Sequence, residues 1–107
     1  DLPLGYLKRL ELGRCLALRA EIVICDEVFS GLSAAEIASL MPLLERLNME
    51  GTTLIMIEHR LRELFELVSR VIVLDFGVKI FEGKPQDALE DDKVKMAYFG
   101  KGKEAKI

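Results

Sequence analysis

The stretch "IVICDEVFSGLS", residues 22–33, decides the fold. Ile22, Val23, Ile24 and Cys25 form a short, unbroken apolar run rich in β-branched residues. Such a run predicts a strand buried on both sides, as in a parallel sheet. Asp26 and Glu27 follow at once, and a Ser/Gly-rich turn comes next. A carboxylate at the end of a buried strand is held rigidly, and in open α/β sheets chemistry gathers at the carboxyl ends of the strands. One acid so placed can hold a hydrated Mg²⁺, while its neighbour points elsewhere and can orient or deprotonate a water. Phosphoryl transfer needs both jobs done, because its catalysis is mostly positioning and charge neutralisation. Taken alone, the same two acids also suit a solvated cap on the following turn.

Upstream, Leu2-Pro3-Leu4-Gly5 is a turn-like entry, and Tyr6 to about Ala20 reads as helix. Leu10, Arg14, Ala17 and Leu18 can share a face there, with Lys8, Arg9 and Glu11 outside and Lys8 and Arg9 solvated. Downstream, Ser33-Ala34-Ala35-Glu36 is a capping box. Ile37, Leu40, Met41, Leu44 and Leu47 follow at helical spacing. Pro42 predicts a kink or a late start, since its ring clashes with the carbonyl of Ala38. Gly51 ends that helix, Thr53 to Ile57 is a second buried strand, and His59 lies just past it. Leu61, Leu64, Phe65 and Val68 mark another amphipathic helix, whose stripe is core. Val71 to Leu74 is a third strand, and Phe76-Gly77 turns into an antiparallel partner, Val78 to Phe81. Short helices around 86–89 and 93–99 complete the pattern. The order β-α-β-α-β predicts parallel strands with right-handed crossovers. Asp26, Glu27 and His59 all fall at strand ends.

The totals narrow the function classes. The chain has 107 residues, half of them apolar, and a formal net charge of -3. That size means one small domain, and the acidic balance argues against a duplex nucleic-acid binder. No apolar run approaches the roughly 20 residues of a membrane span, and no signal peptide is visible. Cys15 and Cys25 sit in apolar segments with no CxxC spacing, which reads as reduced packing in a cytosolic protein. Lys101 to Ile107 reads as a flexible tail.

The ordered set of "LKRLELGRCLALRAEIVICDE" (7–27), "SGLS" (30–33), "GTTLIMIEH" (51–59), "VIVLDFGVKIFEGKP" (71–85) and "MAYFG" (96–100) resembles the ATP-binding-cassette (ABC) ATPase family. Within it the chain is most similar to the subunits that power branched-chain amino-acid uptake. The resemblance implies an α/β, partial P-loop NTPase-like domain: a mainly parallel sheet with flanking helices and a C-terminal antiparallel hairpin. It implies that residues 1–100 are the C-terminal half of a nucleotide-binding domain. Leu2, Pro3, Leu4, Gly5 and Tyr6 occupy the signature motif, which touches the γ-phosphate of ATP held by the opposite subunit. Asp26 matches the aspartate that holds Mg²⁺ through water, and Glu27 the glutamate that activates the attacking water. Ser30 to Ser33 match the D-loop, with Ser33 facing the nucleotide site, and His59 matches the switch histidine at the γ-phosphate. Pro3, Leu4 and Tyr6 depart from the usual signature residues, Val28 stands where proline is usual, and Ser33 replaces an aspartate.

The sequence contains no G-x-x-x-x-G-K-[ST] phosphate-binding loop. The resemblance therefore implies a sheet lacking its P-loop strand, with edges and an apolar face unpaired. ATP and Mg²⁺ are cofactors of the intact protein, and this chain alone is expected to bind neither tightly and not to turn over. The intact protein would be cytoplasmic, peripheral to the membrane, dimeric, and coupled to a membrane permease. The alternative is a non-catalytic module, derived from an ABC ATPase, whose open sheet is met by self-association or by a partner supplying the other half.

Overall fold

The computed structural model describes residues 3–99, and Leu2, Gly100 and the expected tail lie outside the described residues. The chain divides into two units, one ending at Glu63 and the other starting at Leu64. Among the described residues no helix is long and apolar enough to cross a membrane.

The first unit holds α1 (Leu4–Leu18), β1 (Ile22–Asp26), α2 (Ala34–Met49) and β2 (Thr53–Ile57), and α3 (Leu61–Leu67) leads out of it. β1 and β2 pair in parallel, with Ile24 opposite Ile55 and Asp26 opposite Ile57. α1 starts two residues earlier than its sequence suggests, with Pro3 as its N-cap, and ends at Arg19 in the left-handed conformation. Its predicted inner face is wrong. Leu10 and Leu18 are exposed, whereas Gly5 and Leu12 are buried and Lys8 is half-buried. Apolar residues surround this helix almost evenly, so periodicity could not choose a face; packing against α2 chose the one through Gly5, Lys8 and Leu12.

α2 is where local signals suffice. Ser33 Oγ accepts the Glu36 N–H at 3.1 Å, and the Ser33 N–H donates to Glu36 Oε1 at 2.9 Å, closing the capping box. The helix neither starts late nor breaks at Pro42, because its buried stripe of Ile37, Leu40, Leu44 and Leu47 holds it on both sides of the proline. Gly51, at φ +103°, then lets the chain reverse where a side chain would be strained. Buried Thr52 fastens that reversal by donating from Oγ1 to the Ala20 carbonyl at 2.6 Å.

The two strands are not buried on both sides. Cys25 is buried and Val23, Leu54 and Met56 are half-buried on the covered face, while Ile22, Ile24, Ile55 and Ile57 stand exposed on the other. Four isoleucines therefore make one exposed apolar ladder. Burial pushes the Cys25 thiol up to about 11, with Cys15 and Glu58 adding to the effect.

In the second unit, β3 (Val71–Asp75) pairs antiparallel with β4 (Val78–Gly83). β3 therefore joins the hairpin and does not hydrogen-bond to β1 or β2. Phe76 and Gly77 both take positive φ, the geometry that a two-residue hairpin needs to match strand twist. α4 (Pro85–Glu90), α5 (Asp92–Val94) and a π-helical turn at Lys95–Phe99 follow. Val71, Val73, Ala88 and Val94 form the core of this unit, with Phe65, Val68, Ile80 and Phe81 packed on it. Tyr98 donates its hydroxyl hydrogen to the Leu74 carbonyl at 2.7 Å, tying the π-helical turn to β3.

Candidate functional site

Asp26 is the last residue of β1 and is exposed on the isoleucine face. Glu27 leaves the strand. Its N–H donates to the Ile57 carbonyl at 2.7 Å, and its φ of +54° lies in the left-handed region that disfavours a side chain. That turn redirects the Glu27 carboxylate toward the end of β2. There Glu27 Oε1 sits 2.6 Å from His59 Nε2, with the imidazole 80% exposed and the carboxylate 44% exposed. The structure thus brings together the two residues assigned catalytic work, with Asp26 beside them in the chain. A carboxylate and an imidazole in contact, open to water at the rim of a parallel sheet, can pass a proton and orient a water.

Two residues outside the expected set hold this rim. Lys8 Nζ donates to the Val28 carbonyl and to the Ser30 carbonyl, both at 2.6 Å. Glu58 Oε2 accepts the Phe29 N–H at 3.1 Å, and the Val28 N–H faces the same carboxylate. A proline at position 28 would lack that N–H, so valine there fits the presence of Glu58. Burial pushes the Glu58 carboxyl up, the Phe29 and Val28 N–H groups pull it down, and the net direction is up. Phe29 anchors the turn from below at 1% exposed. Lys8 is therefore not on a solvated helix face, as its sequence suggests. Its partners lie 20 and 22 residues away. The one available signal was Glu58, a charge set between an apolar strand and a histidine.

The start of α1 lies close to the same turn. A Cβ on Gly31, at φ +78°, would meet Leu4 Cδ2 at 2.9 Å, and one on buried Gly5 would meet Glu36 Oε2 at 2.8 Å. A side chain at Gly5 would have to displace the carboxylate end of Glu36, so the start of α1 packs closely on the start of α2. Pro3 gives α1 no side-chain cap and its first turn carries no acidic residue, so among the described residues no side chain caps the opening amides of the helix. Leu4 and Tyr6 are exposed. The Ser33 hydroxyl already accepts the Glu36 N–H and retains its own hydrogen to donate. The backbone and hydroxyl of Ser33 hold the Glu36 carboxyl below its ordinary range.

For a divalent cation the donor set is thin. No group of three or more His, Cys, Asp or Glu side chains that could hold a metal ion occurs among the described residues. Asp26 alone suits Mg²⁺, which keeps several waters and takes one or two carboxylates when phosphate oxygens complete its shell.

No protein-family model matches the chain. Over 97 residues it is 40% identical to a putative ABC transporter ATP-binding protein of Methanosarcina acetivorans, covering 90% of this chain and 16% of that protein. It is 37% identical over 95 residues to the ribose import ATP-binding protein RbsA of Caldanaerobacter subterraneus, covering 89% and 19%. It is 28% identical over 96 residues to the lipopolysaccharide export system ATP-binding protein LptB of Escherichia coli K12, covering 90% and 40%. A crystal structure of a nucleotide-free ATP-binding cassette from an ABC transporter superposes with a TM-score of 0.82 at 27% identity, over 94% of this chain and 42% of that one. The chain is homologous to the ATP-binding subunits of ABC transporters. It spans less than half the length of each of these relatives. Its fold is the α/β fold of part of an ATP-binding cassette, with the parallel pair, helices and hairpin in cassette order. The cassette relationship covers both units, because the match extends over 94% of the chain.

Proposed function

We propose that residues 1–100 form the C-terminal half of an ABC nucleotide-binding domain, carrying the signature helix, the Walker B acids, the D-loop and the switch histidine. In the intact protein Glu27 orients and deprotonates the attacking water, and His59 faces the terminal phosphate. Asp26 would hold Mg²⁺, and the ion would supply charge that neutralises the phosphates. The residues around Pro3, Leu4, Gly5 and Tyr6, with Leu2 before them, offer uncapped helix amides to the phosphate of a nucleotide held by the opposite subunit. Ser33 lies on the D-loop that crosses between subunits. The observation that carries this reading is the 2.6 Å approach of Glu27 to His59 at the carboxyl ends of paired parallel strands. The protein would act at the cytoplasmic face of the membrane with a permease. The ordered motifs favour branched-chain amino acids as its cargo, whereas ribose and lipopolysaccharide belong to the names of RbsA and LptB.

The test is a chimera that joins the P-loop-bearing N-terminal part of the nucleotide-free cassette to this chain. It is expected to hydrolyse Mg·ATP and to lose about 10²–10⁴-fold in rate on Glu27→Gln, the usual worth of a general base. Equal rates for the chimera and its Glu27→Gln variant sink the proposal. The 107-residue chain alone is expected to show no turnover; hydrolysis that Glu27→Gln abolishes would overturn that limit. The cargo is tested by restoring uptake of leucine rather than ribose in cells lacking the corresponding ATPase.

The open ladder of Ile22, Ile24, Ile55 and Ile57 favours a second reading, an association module without catalysis. Sedimentation would then show a concentration-dependent dimer. A monomer with a cooperative melt at low micromolar concentration counts against it.

A further inference from the structure

We infer that Lys8 and Glu58 are positioning residues for Glu27: from α1 and from the end of β2 they grip opposite poles of the peptide groups in turn 27–30 and hold Glu27 against His59. The inference rests on the proposed function only for what Glu27 does, not for how it is held.

Glu27 stands at φ +54°, a conformation that a bulky side chain keeps only when its surroundings over-determine it. Its own backbone hydrogen bonds are few. The Ser30 N–H donates to the Glu27 carbonyl at 3.0 Å, and the Glu27 N–H reaches the Ile57 carbonyl. The remaining restraint comes from far along the chain. The Lys8 ammonium takes the carbonyls of Val28 and Ser30, so it orients the 28–29 and 30–31 peptides. Glu58 takes the Phe29 N–H from the other direction. Both grips are charge-assisted, which makes them shorter and stronger than bonds between neutral groups. Neither charge is diverted to a neighbour on its own element. Glu11 pairs with Arg14, and Arg60 pairs with Glu63. The turn cannot rotate without breaking bonds to both elements, and rotation about Glu27 would carry its carboxylate away from His59.

The experiment is NMR on the 107-residue chain, with Lys8→Met and Glu58→Val removing each grip and Lys8→Arg and Glu58→Gln preserving it. The readouts are amide exchange at Phe29 and Ser30, and the cross-peaks between the His59 ring and the Glu27 side chain. Lys8→Met and Glu58→Val are each expected to speed exchange at those two amides at least tenfold and to erase the cross-peaks. Amides in α2 should keep their protection. Lys8→Arg and Glu58→Gln are expected to retain the wild-type pattern. Cross-peaks and protection unchanged in Lys8→Met and Glu58→Val overturn the inference. So does a loss spread evenly over the first unit, which would mark a general structural role, and so does failure of Lys8→Arg to retain the pattern. No nucleotide enters this measurement. A chimera without ATPase activity would remove the catalytic reading and leave the grip standing, and the converse also holds.

Discussion

Glu27 and Phe76 share a conformation and owe it to different causes. Both are non-glycine residues with positive φ, +54° and +48°. Phe76 is wholly exposed at the tip of the β3–β4 hairpin, where the twist of two flanking strands selects the turn. Glu27 sits between strand and loop, and Lys8, Ile57 and Glu58 fix it from 19 or more residues away. One strained position is set by sequence neighbours and tolerates change. The other is set by tertiary contacts and brings an acid to an imidazole. Strain at the second place has a chemical consequence that strain at the first lacks.

The contrast breaks most visibly through the residues beneath each turn. Phe29→Ala removes an almost fully buried ring under the Glu27 turn and should cost about 3–5 kcal/mol of stability. Phe76→Ala, at a side chain in full contact with water, should cost less than about 0.5 kcal/mol. Chemical denaturation of the two variants measures both, and equal costs would dissolve the distinction. Glu27→Gly keeps the turn while relieving the left-handed strain. It should raise stability by about 1 kcal/mol while removing the carboxylate, so that a chimera carrying it gains in melting temperature and loses turnover. Phe76→Asn should stabilise the hairpin by a smaller amount, a few tenths to about 1 kcal/mol, because asparagine accepts positive φ more readily.

The smallest effect is one of pH. Folding raises the Glu58 carboxyl through burial, so over the window above the ordinary carboxylate value the folded state binds more protons than the unfolded state. The contribution of Glu58 is then fully present below the unfolded value of 4.5 and declines as pH rises through the raised folded one. Unfolding free energies of the wild type and Glu58→Gln, followed from pH 4 to 7, should show the wild type losing ground as pH rises. A difference that does not change with pH would contradict the assigned direction.

Much of this was legible from residues alone. Ser33 and Glu36 announced the start of α2, Phe76-Gly77 announced the hairpin, and the apolar run before Asp26 announced β1. Each signal is local: a cap, a two-residue turn, a strand followed by charge. Gly51 and the stripe from Ile37 to Leu47 belong with them, since a helix face with one clear period has one way to bury itself. The candidate site was legible to the extent that strand ends gather in a parallel pair, which placed Glu27 near His59. What could not be read was the burying face of α1, where apolar residues lie all round, and the part played by Lys8, whose partners are remote in sequence.

The sequence by itself determined the elements and their order, because caps, turns and periodicity act over a few residues. It also placed an acid pair and a histidine at strand ends. Only the tertiary structure decided which face α1 buries, that one face of β1 and β2 is exposed, and that Glu27 turns left-handed to meet His59. Each of those outcomes depends on hydrogen bonds and packing between residues far apart in the chain, and no local pattern records which distant donor will find which carbonyl.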